Sequence, residues 1–112
     1  MKIALVQMDV VHGQPVENKK HVIGMLERAL DDNPDVIVLP EMWNTGYALD
    51  ELDGLADKKG LESQELLSHF AREHAVAIIG GSVAVEQDGK FYNTTYVYNK
   101  SGELINSYSK VH

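Results

Sequence analysis

The chain's 112 residues suffice for one domain with a core of moderate size, and 44% hydrophobic against 24% charged residues is a soluble globular composition rather than a disordered one. Its 10 Lys plus Arg stand against 17 Asp plus Glu, a net charge of -7, with basic residues adjacent only at Lys19-Lys20 and Lys58-Lys59, which argues against nucleic acid or an anionic membrane surface as partner. There is no cysteine, so these residues hold no disulfide, no thiolate metal ligand and no thiol nucleophile.

The apolar run before Gln7 is too short for a secretory segment, and no stretch approaches the roughly 20 apolar residues of a membrane-spanning helix. A cytoplasmic location is the default expectation. Residues 2–9 read as a first strand, with Ile3, Leu5 and Met8 among the apolar positions and a break at Asp9. His12-Gly13-Gln14-Pro15 is a turn that opens a helix, because Pro lacks an N–H that the first helical turn does not need. Val22, Met25, Leu26, Ala29 and Leu30 recur at helical spacing, so this helix is predicted to run to about Asp31 and to stop before Asn33-Pro34.

Val36 to Leu39 is an all-apolar run without alternation, the pattern of a strand buried on both faces in a parallel sheet covered by helices. Residues 2–39 are thus expected to form a βαβ unit, two strands of one sheet with a right-handed crossover. Pro40 cannot donate to a ladder, so the strand is expected to end there and leave Glu41 at its carboxyl end, the edge where ligands bind in open α/β sheets. Beside Pro40, Met42 and Trp43 a carboxylate would be partly desolvated, which favours the neutral form and suits a general base. The alternative is a loop glutamate facing water.

Residues 44–60 are polar, carry Gly46, Gly54 and Gly60 and show no sustained period. They read as a loop or lid with a short helical turn around Leu49 to Leu55, and a loop of that length behind a strand-end carboxylate is more often functional than accidental. Ser63 is a candidate cap for a second helix that puts Leu66, Leu67, Phe70, Ala71 and His74 on one face. Val76 to Gly81 reads as a buried strand continuing through Ser82 to Glu86. Gln87-Asp88-Gly89-Lys90 is a hairpin turn, Phe91 to Tyr98 its partner strand, and Asn99-Lys100-Ser101-Gly102 a further turn into a strand from Glu103 to about Lys110. The predicted class is α/β in the order β-α-β-loop-α-β-β-β, without repeats or linkers. The last strand has nothing after it to cover its sheet face, so the ending reads as a cut.

Lys110 shares a pleat side with Tyr108 and His112 if the last strand runs that far. Held near a carboxylate it could stabilise a developing oxyanion; otherwise it is a solvated lysine near a chain end. The five histidines include no His-x-x-x-His or Glu-x-x-His pair, so no metal is expected. Gly80-Gly81 lacks a Gly-x-Gly-x-x-Gly frame and reads as close backbone packing, not a phosphate cradle. Tyr92, Tyr96 and Tyr98 alternate along a strand and read as packing residues.

Leu39-Pro40-Glu41-Met42-Trp43 with Thr45-Gly46-Tyr47, then Gly80-Gly81-Ser82, Tyr92-Asn93-Thr94, and Gly102-Glu103-Leu104-Ile105 running into Tyr108-Ser109-Lys110-Val111-His112, resemble the ordered landmarks of the nitrilase superfamily of carbon-nitrogen hydrolases. The opening Ile3-Ala4-Leu5-Val6-Gln7-Met8 is similar to that family as well. The resemblance covers the whole chain but less than half of a family domain, and implies that residues 1–112 are the amino-terminal portion of one.

The resemblance further implies an α-β-β-α sandwich that associates into larger assemblies, hence a homo-oligomer when intact, acting on a small-molecule amide without a cofactor. It implies a Glu-Lys-Cys triad with Glu41 as general base and Lys110 stabilising the tetrahedral intermediate, the cysteine lying outside this chain. The Trp43-Asn44-Thr45-Gly46-Tyr47 stretch looks most similar to amidases that act on ω-amides of 2-oxo acids such as 2-oxoglutaramate, with Tyr47 orienting the substrate or the glutamate. The competing readings are a naturally short, catalytically inactive binding or assembly module of the same fold, and a nucleotide-binding domain, for which no phosphate loop exists.

Overall fold

In a computed structural model that describes residues 1–7, 13–45, 57–58 and 60–111, the chain opens with strand β1, Ile3–Leu5. Helix α1, Pro15–Ala29, carries the chain to β2, Val36–Val38, and the two strands pair in parallel with Ile3 opposite Val36 and Leu5 opposite Val38. This is the expected βαβ unit. Pro15 stands in the first helical turn, and α1 ends in a short 3-10 turn, Leu30–Asp32, closed by Asn33 in the left-handed region at φ 48. β1 is shorter than the predicted 2–9, and residues 8–12 lie outside the described part.

β2 is flanked on its other side by β4, Ala77–Gln87, also in parallel. The Leu39 amide still donates to the Ile79 carbonyl at 3.0 Å; Pro40 then ends the ladder as its missing N–H requires. A two-residue strand β3, Asp57–Lys58, pairs in parallel with β4 at Val85 and Glu86, an element too short to leave a periodic signal. Helix α2, Leu61–His74, follows.

Ser63 does not cap α2. The helix starts two residues earlier, after Gly60 in the left-handed conformation, and Ser63 is buried inside its first turn. The Asp57 carboxylate takes the capping role instead, accepting from the Ser63 amide at 2.8 Å and the Glu62 amide at 3.3 Å.

β4, β5 (Lys90–Tyr98) and β6 (Leu104–Val111) form an antiparallel meander. Its first turn carries Asp88 at φ 52 and Gly89 at φ 76, two successive positive φ values that match the twist of a two-residue hairpin. Along the sheet the order is β1-β2-β4-β5-β6. The predicted order of elements is thus met, with β3 added and β4 continuous through the Gly80 to Val83 irregularity.

One face of the sheet carries the core. Val22 and Leu26 of α1 and Leu67, Phe70 and Ala71 of α2 join Ile37, Ile78, Val83, Val85, Tyr96 and Tyr98 in a single buried cluster. Beyond a small cluster of Met42 and Ala84 with Phe91, the opposite face has no such cover among the described residues. Ile79 is 38% exposed, and every β6 side chain from Leu104 to Lys110 is exposed. β2 therefore buries Ile37 completely but leaves Val36 and Val38 half-buried, so the expected burial on both faces is not met. An apolar run reports that a strand is central without reporting which faces are covered. Among the described residues, no helix is long and apolar enough to cross a membrane.

Candidate active site

The segment after Pro40 is fastened to β4 residue by residue. The Met42 amide donates to Ser82 Oγ at 3.0 Å, and the Trp43 amide donates to the Ser82 carbonyl at 3.0 Å. The Asn44 side chain pairs with the backbone of Ala84 in both directions, and Asn18 Nδ2 of α1 donates to the Asn44 carbonyl at 2.9 Å. Met42 adopts φ 51 and its buried side chain packs with Ala84 and Phe91, whereas Trp43 joins the main core; Thr45 is buried as well. Glu41 is left on the uncovered face.

Glu41 is therefore exposed, and the partial desolvation expected from Pro40, Met42 and Trp43 is absent. Trp43 joins the main core and Met42 packs in a separate cluster with Ala84 and Phe91, and neither closes over Glu41, which stays exposed. Glu41 Oε1 accepts a hydrogen bond from Asn93 Nδ2 of β5 at 3.0 Å. Asn93 is 6% exposed and stands directly opposite Lys110 of β6 in the ladder. Residues opposite one another in an antiparallel pair project to the same side.

Glu41, Asn93, Thr95, Tyr108 and Lys110 consequently line one open cleft of about 390 Å³, floored by Ile79 and Ser82. The two candidate residues read from the sequence are brought to the same cleft from positions 69 apart in the chain, 41 and 110. Tyr108 lies beside Lys110 as the pleat predicts, and Tyr47 lies outside the described residues, as does most of the expected lid. Gly80 and Gly81 are close-packing positions as read. A Cβ on Gly80 would overlap Leu67 Cδ1, and one on Gly81 would lie 2.9 Å from Thr95 Cγ2.

Asn93 carried no functional role in the sequence reading, although it lies in this cleft. Its pairing with Lys110 depends on the register shift between Val97 and Tyr98, which counting back through the turn at 99–102 does not reveal. A second groove of about 340 Å³ lies between the helices, lined by Val16, Trp43, Leu61 and Leu66 with Lys19 and Glu62, which pair at 2.7 Å. Its lining is mostly apolar and includes neither Glu41 nor Lys110.

Residues 2–112 match the carbon-nitrogen hydrolase family, and the chain belongs to it. It is 43% identical over 110 residues to 2-oxoglutaramate amidase of Bacillus subtilis (strain 168), covering 98% of this chain and 42% of that protein. It is 33% identical over 111 residues to omega-amidase NIT2-B of Xenopus laevis, covering 99% of this chain and 40% of that protein. The fold superposes on Saccharomyces cerevisiae Nit3, described as a member of branch 10 of the nitrilase superfamily, with a TM-score of 0.86 at 28% identity, covering all of this chain and 44% of that one. The chain thus spans less than half the length of these relatives.

Proposed function

We propose that this chain carries the general base and the oxyanion-stabilising cation of a thiol-dependent amidase that hydrolyses the C–N bond of a small amide, an ω-amide of a 2-oxo acid in particular. The observation that carries the reading is the convergence of Glu41 and Lys110 on one cleft. Similarity to a 2-oxoglutaramate amidase supports the choice of substrate class.

In this reading Glu41 takes the proton of a cysteine thiol supplied from outside these residues. The thiolate adds to the amide carbon, and the Lys110 ammonium stabilises the oxyanion that forms. Glu41 returns the proton to the departing nitrogen, ammonia leaves, and a thioester remains. Glu41 then activates water to hydrolyse it, releasing the acid and restoring the thiol. Tyr47 orients the substrate or the glutamate. The open sheet face bearing the cleft is covered in the working enzyme, which assembles as a homo-oligomer, and no metal or cofactor takes part.

The test is ammonia release from 2-oxoglutaramate by the complete protein that carries these residues. Glu41→Gln and Lys110→Ala are expected to lower kcat by about 100- to 10,000-fold, the usual contribution of a general base or an oxyanion partner. Full activity in either variant would remove that residue from the mechanism.

A further inference from the structure

The Asn93 side chain is half satisfied. Its Nδ2 donates to Glu41 Oε1 at 3.0 Å, while its Oδ1 is buried without a hydrogen-bond partner. The donated bond fixes the orientation of the amide, because a carboxylate accepts and cannot donate when ionised. Oδ1 must therefore point away from Glu41, and the residue directly across the ladder from Asn93 is Lys110. A buried carbonyl oxygen without a donor is costly, and native structures keep few of them. An ammonium offers three donors and no acceptor, so it complements the vacant oxygen of the amide.

We propose that Asn93 is a positioning residue that spans the site, holding the Glu41 carboxylate through Nδ2 and receiving the Lys110 ammonium on Oδ1. The inference rests on the assignment of Glu41 and Lys110 as base and cation. It adds the reason they stay apart. Left to themselves, a carboxylate and an ammonium on one open face would collapse into a direct ion pair, with the base occupied and the cation neutralised. An amide between them presents a donor to one and an acceptor to the other, and leaves the second carboxylate oxygen free for proton transfer. Glu41 comes from the turn after β2 and Lys110 from the far edge strand, so a residue on the intervening β5 is the one able to reach both.

Two measurements on the complete protein decide it. A crystal structure is expected to show Asn93 Oδ1 within about 3.2 Å of Lys110 Nζ, the limit of a good N–H···O bond. An Oδ1 satisfied by another donor, with Nζ elsewhere, overturns the proposal. This readout needs no activity, so a protein that hydrolyses no amide would defeat the amidase reading while the geometry still decides Asn93.

The second measurement is kinetic. Asn93→Asp keeps the volume but puts a carboxylate 3.0 Å from Glu41 where a donor stood. It is expected to lower kcat by about tenfold or more with KM within a few-fold, and to move the acid limb of the kcat/KM profile to higher pH, because a like charge disfavours ionisation of its neighbour. Asn93→Ala is expected to lower kcat similarly without that displacement. A residue that merely filled space would lose activity in proportion to lost folded protein, with the acid limb unmoved in Asn93→Asp, and that result also overturns the proposal.

Discussion

The side chain of Asn44 pairs with the backbone of Ala84 as though it were a strand: Oδ1 accepts from the Ala84 amide at 2.9 Å and Nδ2 donates to the Ala84 carbonyl at 3.1 Å. β2 has ended at Val38 and β3 joins β4 only at Val85, so Asn44 occupies the gap between them along the same edge of β4. One amide side chain does there what a peptide unit does elsewhere in the ladder. It ties the turn that bears Glu41 to the sheet.

Asn44→Ala leaves a buried N–H and a buried C=O on Ala84 without partners. The expected loss is about 2–4 kcal/mol, from a penalty of roughly 1–3 kcal/mol for each unsatisfied buried group partly relieved by water. Chemical denaturation of the complete protein measures it. A loss below about 0.5 kcal/mol, the range of an ordinary surface substitution, would show that the pairing contributes little.

Gly80 faces Leu67 of α2 so closely that a Cβ would overlap Leu67 Cδ1, with the Tyr96 carbonyl 3.2 Å away on the other side. Gly80→Ala is expected to destabilise by about 1–3 kcal/mol, as overpacking does in a filled core. Leu67→Val alone also destabilises, but it removes the obstructing methyl. In a double-mutant cycle the pair should therefore cost at least about 0.5 kcal/mol less than the sum of the singles. Strict additivity would show that the collision does not decide Gly80.

Residues 1–112 produced alone present Ile79 and Tyr108 to water on the uncovered side of the sheet, with Leu104 and Ile105 exposed on the edge strand beside them. Exposed large apolar side chains on one uncovered sheet face favour association. Sedimentation is expected to show concentration-dependent assembly or aggregation. A monodisperse monomer that unfolds cooperatively would show that this face needs no cover.

Glu41 was legible because two local facts coincide, an apolar run that must be a central strand and a proline that must end it. Lys110 was not legible in that way, since nothing near it in sequence distinguishes a cleft lysine from a solvated one; the family resemblance singled it out. Asn93 meets Lys110 through a cross-strand register that shifts between Val97 and Tyr98, and Asn44 acts through long-range bonds to Ala84; a sequence pattern reveals neither where a ladder slips nor such a partner. The start of α2 was misjudged for a similar reason. Its cap, Asp57, lies on a separate strand six residues before Ser63, beyond the reach of the local capping rule. Desolvation of Glu41 was inferred from its neighbours in sequence, but Trp43 joins the core, Met42 packs on Ala84 and Phe91, and Glu41 stays exposed.

Asp35 links the amino terminus to the start of β2. Its carboxylate accepts from the Lys2 amide at 2.7 Å, and that bond above all holds its carboxyl below the usual range, against the opposing effect of desolvation and with the charge of Lys100 assisting. A depressed folded value means that the stabilisation is present above the unfolded value, about pH 4, and is lost as pH falls through the folded one. Stability of the complete protein should thus fall on acidification below about pH 4, and Asp35→Asn should flatten part of that fall while lowering stability at pH 7. An unchanged acid limb in the variant would assign the loss to other carboxylates.

Tyr98 presents the opposite sign. Its hydroxyl is buried in the core without a hydrogen-bond partner, and burial, with the neighbouring Tyr96 adding to it, pushes the phenol well above its ordinary range. A raised folded value keeps its contribution intact below the unfolded value of about 10 and withdraws it as pH rises beyond that, because the unfolded chain ionises first. Tyr98→Phe removes both the unpaired hydroxyl and the titration while keeping the ring among Leu67, Ile78 and Tyr96. Losing an unsatisfied polar atom costs no hydrogen bond, so stability at pH 7 should be equal or higher, and the decline above pH 10 shallower. A loss of more than about 1 kcal/mol at pH 7 would reveal a partner for the hydroxyl, and with it a polar contact at the centre of the core that packs the sheet against both helices.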